Sequence, residues 1–389
     1  MDRIASIFRL AEIPDRTASD LRIRAGGDAF GAVCKACGRL RGAIAALPAD
    51  SVCVTFRLVM DPGELGEEPQ RRLQVCVIVT GNDDRVVQHV GALLQRGPTS
   101  SYFRLDPVTT CPSPWPAVAC VTYLVRAEES IPPLVAEELN PRVPQAYYLV
   151  HLFEPDADFD WLAIDEIADR LEEPFVLDVT VAPVDGAAER AAHSQYLAIL
   201  NASNQPWSDE DDAYRPGVYL ADEPAFESHY GRSRGPTPAR DPLADDILRQ
   251  QRRFHETLCK PHLLFSIRVF TRDATTGLLL SSVLGESAFL ESSYRTVQFG
   301  KDDPFFESSL LAAKAAEPRV IPTHETLFTE EERGAYAGLA RLASMASSEE
   351  LDSIVRLPIA TDVPPRCIHS QTDPPVWSGS DTIAIGYDL

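Results

Sequence analysis

The sequence predicts an α+β protein in which one order of elements occurs twice along the chain. Three observations carry that expectation. Runs of β-branched and aromatic residues recur at strand length, helical stretches with apolar stripes separate them, and turn formers mark most of the joints. In both segments the order reads strand, helix, strand, strand, helix, strand, the split β-α-β arrangement of ferredoxin-like folds. The expected layout is a first ferredoxin-like unit (βαββαβ) over 1–106, a Pro-rich linker over 107–144, and a second such unit over 145–300. The second unit carries an insertion at 185–261, and a helical segment with a Pro-rich tail fills 301–389.

In the first unit, Ile4 to Leu10 reads as a short strand, and Asp28 to Leu47 as a helix that Pro48 cannot continue. Val52 to Met60 is rich in β-branched and aromatic residues, as a strand should be. Asp61-Pro62-Gly63-Glu64 opens a turn, and Leu73 to Thr80 returns antiparallel. Asn82 or Asp83 can cap a helix from Asp84 to Gln95, whose Val86, Val87, Val90, Leu93 and Leu94 form an apolar stripe. Tyr102 to Leu105 closes the set.

The linker holds one strand, Val118 to Arg126. The second unit then opens with Tyr147 to Phe153, followed by a helix capped by Asp158 or Asp160 that runs to Leu171. Phe175 to Val181, Leu263 to Phe270, a helix over Ala274 to Leu290 and a strand at Thr296 to Phe299 complete it. Its insertion has helical ends, Ala187 to Asn201 and Leu243 to Leu258. The centre, Ser203 to Asp241, is rich in Pro, Gly, Asp and Arg and is expected to be mobile in isolation. Beyond the second unit, helices are expected at Phe305 to Ala316, at Thr329 to Met345 and from Ser347. A last strand is expected at Thr382 to Ile385.

The 389 residues carry a formal charge of −22, which opposes free binding to nucleic acid, so any DNA contact is expected to be indirect. The stretch Arg232, Arg234, Arg240, Arg249, Arg252 and Arg253 is a local exception, and a solvated basic helix is its plainer reading. No run of about 18 apolar residues exists and the first residues lack a secretory pattern, so a cytoplasmic protein without membrane insertion is expected. Eight cysteines in so long a chain make no disulfide framework. Cys34 and Cys37 form a CxxC pair without a second pair to complete a zinc site, and Cys53 and Cys76 read as small buried groups.

The pattern GxxxxGK[ST] is absent, and Gly300-Lys301 is followed by Asp302 without the upstream glycine that cradles phosphate. The chain holds no G-x-S-x-G elbow and no HExxH helix. Asp209-Glu210-Asp211-Asp212 lacks the spacing of a calcium loop. His151 and His262 fall in or beside strands, and Asp165 and Asp178 have no carboxylate partner at a defined spacing. No catalytic, cofactor-binding or metal residue is assigned, no cofactor is expected, and the chain reads as a non-enzyme.

One stretch is more specific. Met345-Ala346-Ser347-Ser348-Glu349-Glu350-Leu351, then Arg356-Leu357-Pro358, then the Pro-rich Val363-Pro364-Pro365 and Thr372-Asp373-Pro374-Pro375, lead to Ile383-Ala384-Ile385-Gly386. This run resembles the segment that precedes the motor domain in bacterial HerA/FtsK-type ring ATPases, including those of conjugation and type IV secretion. The resemblance implies a non-catalytic assembly or regulatory module of such an ATPase, in DNA translocation, conjugation or anti-phage defence. It implies a separate or fused ring ATPase subunit as partner, with self-association as a second option. A stand-alone interaction scaffold and an enzyme with an unfamiliar site between the two repeats are the alternatives.

Overall fold

The computed structural model describes residues 3–13, 28–61, 72–111, 114–137, 139–140, 142–159, 161–171, 173–204, 240–290, 293–321, 327 and 337–359. Its first elements are β1 (Ile4–Glu12), α1 (Ala29–Ala45), β2 (Val52–Asp61), β3 (Arg72–Gly81), α2 (Asp84–Arg96) and β4 (Arg104–Val108). Local chemistry explains the helix starts. Asp28 accepts from the Gly31 amide at 2.8 Å, and Asp83 from the Arg85 amide at 2.9 Å, each satisfying a donor that has no intrahelical partner.

The chain continues through β5 (Cys120–Arg126), β6 (Glu128–Ile131), β7 (Tyr147–Val150), α3 (Leu162–Ala168) and β8 (Phe175–Val184). Next come α4 (Ala187–Asn204), α5 (Pro242–Thr257), β9 (His262–Thr271) and α6 (Ala274–Ala288). Finally come β10 (Tyr294–Gly300), α7 (Pro304–Lys314) and β11 (Met345–Ser347).

Eight strands lie in the order β10-β5-β9-β8-β2-β3-β1-β4, and β11 pairs with the start of β9 to make a ninth. Every pairing is antiparallel. The fold is thus mixed α+β around one antiparallel sheet. Its two halves join where β2 pairs with β8, from Val54↔Val181 to Met60↔Phe175.

The faces of this sheet differ. One buries Phe56 and Leu58 of β2, Val77 of β3, Leu177 of β8 and Ile267 of β9 against Val33 and Leu40 of α1, Val90 of α2, Ile164 of α3 and Leu284 of α6. The other joins Val59, Tyr123, Val176 and Phe270 to Phe306 and Ala313 of α7, and it also holds charged side chains described below. Helices α4 and α5 of the insertion pack in a separate cluster with Tyr147, Tyr148 and Met345.

Several expectations are corrected. Helix α3 opens at Leu162 with Trp161 as its cap residue and no side-chain cap bond, so Asp158 does not cap it. Tyr147 to Phe153 does not open the second strand set: Tyr147–Val150 pairs with β6 in a separate two-stranded ribbon. The strand expected within the linker, now Cys120–Arg126, occupies that place between β10 and β9. Both segments are apolar at strand length, and all seven residues of β5 are buried, as an interior strand requires. Alternation marks strands but does not choose their partners.

The helix expected at Thr329 to Met345 is not formed in its described part. Residues 337–344 make two short 3-10 turns and Met345–Ser347 is a strand paired with Leu264–His262. A Cβ on Gly338 would lie 2.7 Å from that of Ala192, so this segment is seated on α4 at a point where only glycine fits. Residues from Ser348 turn without becoming a helix. The expected mobile centre, apart from its ends, and the expected strand at 382–385 lie outside the described residues.

Candidate functional site

The sheet seam carries the first polar constellation. Register sets Arg57 of β2 opposite Asp178 of β8, and Asp178 opposite Arg268 of β9. Side chains directly opposite one another share a face, so three charges are gathered in a row. Arg57 donates to both carboxylate oxygens of Asp178, Nε to Oδ1 at 2.7 Å and Nη2 to Oδ2 at 2.8 Å. Nη2 also donates to the Ala313 carbonyl at 2.6 Å, tying α7 to the sheet. Arg268 lies 3.7 Å from Asp178 and donates to Thr180 Oγ1 at 3.0 Å.

All three charged residues are buried. Burial works against the Arg57 charge, and the attraction and hydrogen bonds of Asp178 outweigh it, so its pKa rises from the ordinary arginine value. For Arg268 burial prevails over the same carboxylate and lowers the pKa. Asp178, weighed from sequence as a site carboxylate, is instead the counter-ion that makes the seam tolerable. The signal was present: one charge interrupts each of three apolar strand runs, with signs plus, minus, plus.

A second constellation binds the C-terminal stretch. Arg126, at the end of β5, donates from Nη1 to Glu350 Oε1 at 2.7 Å and to the His151 carbonyl at 2.7 Å. Its Nη2 donates to the Met345 carbonyl at 2.8 Å, and its guanidinium lies over Phe153 and Phe254. Ser347 and Glu350 form a reciprocal box. The Ser347 amide donates to Glu350 Oε2 at 2.9 Å, and the Glu350 amide to Ser347 Oγ at 3.3 Å. Burial pushes the Glu350 carboxyl up, and Arg126 with the Ser347 amide pulls it further down, below the ordinary value.

The following residues are fastened to α1. Arg41 donates to the carbonyls of Val355 and Ser348 at 2.8 and 3.1 Å and forms an ion pair with Asp352. Arg356 lies over Phe30 and Phe159, donates to Cys34 Sγ at 3.3 Å, and accepts from Trp161 Nε1 at 3.0 Å through its carbonyl. Leu351, Ile354, Val355, Leu357 and Ile359 join the main core. The CxxC cysteines face this packing rather than a metal or a disulfide: both are free thiols, and burial raises Cys37 to about 11.

A third constellation is open to solvent. A cleft of about 460 Å³ is lined by Glu129, His151, Glu154, Arg253 and Ser293, among others. His151 Nε2 is 2.7 Å from Glu129 Oε1, and Arg253 is 4.0 Å from Glu154. An imidazole held by a carboxylate can exchange a proton with a polar ligand. Its hydroxyl neighbour is committed elsewhere, since Ser293 Oγ donates to the Leu290 carbonyl at 3.4 Å.

The remaining sequence candidates stay apart. His262 meets the Lys260 carbonyl at 2.8 Å. Asp165 is buried in α3, and Asp209 to Asp212 lie outside the described residues. Among the described residues of the basic stretch, Arg249 pairs with Asp245 and Asp246, and Arg253 with Glu154. Among the described residues no group of three or more His, Cys, Asp or Glu is placed to hold a metal ion, and no helix is long and apolar enough to cross a membrane. No protein-family model matches the chain, and no curated protein matches it.

Proposed function

We propose that the chain is a non-catalytic assembly or regulatory module of a HerA-like ring ATPase, cytoplasmic, with DNA touched only through that motor. Each half of the sheet is read as a ferredoxin-like unit: β4-β1-β3-β2 and β10-β5-β9-β8 follow one order of first, second, third and fourth strands. The observation that carries the reading is the Arg126–Glu350 anchorage. The described part of the stretch resembling the pre-motor segment of these ATPases, residues 345–359, is packed against β5, α1 and β9.

A segment held this way passes force or a conformational change between the sheet and whatever binds beyond it. Nucleotide chemistry is read as belonging to a separate or fused subunit, in keeping with a sequence that holds no GxxxxGK[ST] pattern. Co-expression with a tagged HerA-like ATPase encoded in the same gene neighbourhood tests the proposal. Stoichiometric co-elution that survives moderate salt is expected. If the neighbourhood holds such an ATPase and the two proteins elute separately, the reading fails.

A further inference from the structure

The two outer strands of the sheet are built differently. β4 is five residues long, contains Pro107, and meets β1 across an irregularity between Leu10 and Glu12. Short length, proline and a register break are the usual defences of a free edge. β10 has none of them. It runs for seven residues without proline, and its register with β5 is unbroken from Tyr294↔Arg126 to Gly300↔Cys120. Among the described residues, β5 is its one strand partner.

Hydrogen-bond phase shows which groups face outward. The Ala127 amide donates to the Ser293 carbonyl at 2.9 Å, so Ser293 turns toward β5. Alternation then directs Arg295, Val297 and Phe299 inward, and the backbone groups of Tyr294, Thr296, Gln298 and Gly300 away from β5. The Gly300 carbonyl accepts from Asp303 at 2.9 Å. Among the described residues, the outward amides and carbonyls of Tyr294, Thr296 and Gln298 meet no partner.

We infer that β10 is a self-docking edge, pairing antiparallel with β10 of a second copy of this chain about a two-fold axis at Val297. The register is self-complementary. Thr296 faces Gln298 of the other copy and exchanges hydrogen bonds with it, while Val297 meets Val297 in the close, non-bonded position. Arg295 opposes Phe299, bringing a guanidinium to an aromatic ring. Tyr294 opposes Gly300, which adds no side chain there, while the Tyr294 ring stays against α6 of its own copy with its hydroxyl donating to Glu286 Oε1 at 2.5 Å. The charge on Arg295 is already balanced by Glu128 at 3.5 Å, so two copies of β10 meet without net repulsion.

The adjoining surface fits the same occupant. Leu278 and Leu279 of α6, and Leu290 at the entrance to β10, are large apolar side chains left 40%, 48% and 49% exposed. Leu278 precedes Gly285 by two helical turns, and Gly285 lies directly against the Tyr294 ring. The face of α6 that carries Leu278 therefore borders the open edge, and pairing of two β10 strands brings two such faces together.

Sedimentation velocity of the full chain and of a Thr296→Pro variant tests the inference, with disulfide trapping as a second readout. Proline at 296 removes an outward amide and leaves the β5 ladder intact. The parent is expected to sediment as a dimer and the variant as a folded monomer, whose melting temperature, unlike the parent's, does not rise with protein concentration. In the trapping arm, Val297→Cys is expected to link to itself under mild oxidation, with the 297–297 peptide identified by mass spectrometry, whereas Arg295→Cys does not. If Thr296→Pro fails to fold, the trapping arm decides alone. A parent that stays monomeric at all concentrations, or a dimer whose Val297→Cys form never links at 297, overturns the inference.

Discussion

Phe56 and Leu58 of β2 point into an apolar layer beneath the helices, whereas Arg57 between them points into the opposite layer and meets Asp178. The same strand therefore supports two kinds of core. On the helix face, side chains interdigitate and need no particular partner, so volume and hydrophobicity suffice. On the α7 face, each buried charge depends on a named neighbour, and α7 itself is held through the Ala313 carbonyl. The difference teaches that the seam is specified on its charged side and merely filled on its apolar side. The Arg126–Glu350 anchorage follows the charged rule and applies it to the C-terminal stretch.

Asp178→Ala breaks that comparison most severely. It leaves two buried guanidinium groups uncompensated, and a loss of about 3–5 kcal/mol in urea unfolding is expected. Leu177→Ala, one residue away on the other face, is expected to cost about 2–4 kcal/mol. The triple replacement Arg57→Met, Asp178→Leu, Arg268→Met is expected to retain or raise stability, since apolar residues of similar size relieve the desolvation cost. A triple variant as unstable as Asp178→Ala would show that the charges have a role that packing cannot replace.

Acid sharpens the comparison in the insertion. Gln251 Nε2 donates to the Val150 carbonyl at 3.0 Å, which presents Gln251 Oε1 to His193 Nε2 at 3.0 Å. His193 Nδ1 then accepts from His255 Nδ1 at 3.1 Å. Burial lowers the His193 pKa to about 4, with His255 adding to the effect and Gln251 opposing it. The folded value lies below the unfolded value of about 6.5, so the unfolded chain takes up protons first. Stability is full above that pH and falls as the pH drops toward 4, by up to about 3 kcal/mol. His193→Gln is expected to flatten this part of the pH profile, read by urea unfolding between pH 7 and 4.

Glu350→Gln keeps the shape of the anchorage and removes its charge, and a loss of about 2 kcal/mol is expected. The carboxyl is held below its ordinary value, so its contribution is present at neutral pH and disappears only as pH falls through the folded value. Hydrogen exchange at residues 345–359 should rise in this variant before the rest of the sheet is affected. The smallest effect belongs to the surface: Arg249→Ala removes exposed pairs with Asp245 and Asp246 and should change stability by less than about 0.5 kcal/mol.

Much of the element order was legible because apolar period and capping residues are local. Asp83 before Asp84–Arg96 and the strand at Phe175–Val181 needed no tertiary knowledge, although the strand's polar alternation suggested one buried face and both faces are buried. Partner choice was not legible. Nothing within Tyr147–Val150 or Cys120–Arg126 states which of them enters the main sheet, because both satisfy the same local rule. Likewise the Ala-rich stretch before Met345 has helical composition, and seating on α4 and pairing with β9 override it. The Ser347–Glu350 box was readable as a spacing, whereas its partner Arg126 lies 224 residues away and could be found only in three dimensions.

Nucleotide titration tests the central claim most directly. Labelled ATP added to the purified chain should bind no tighter than about millimolar, since its sequence holds no GxxxxGK[ST] pattern. The same chain added to a HerA-like ATPase should change that enzyme's turnover. Saturable micromolar binding of ATP, or hydrolysis by the chain alone, would contradict the account.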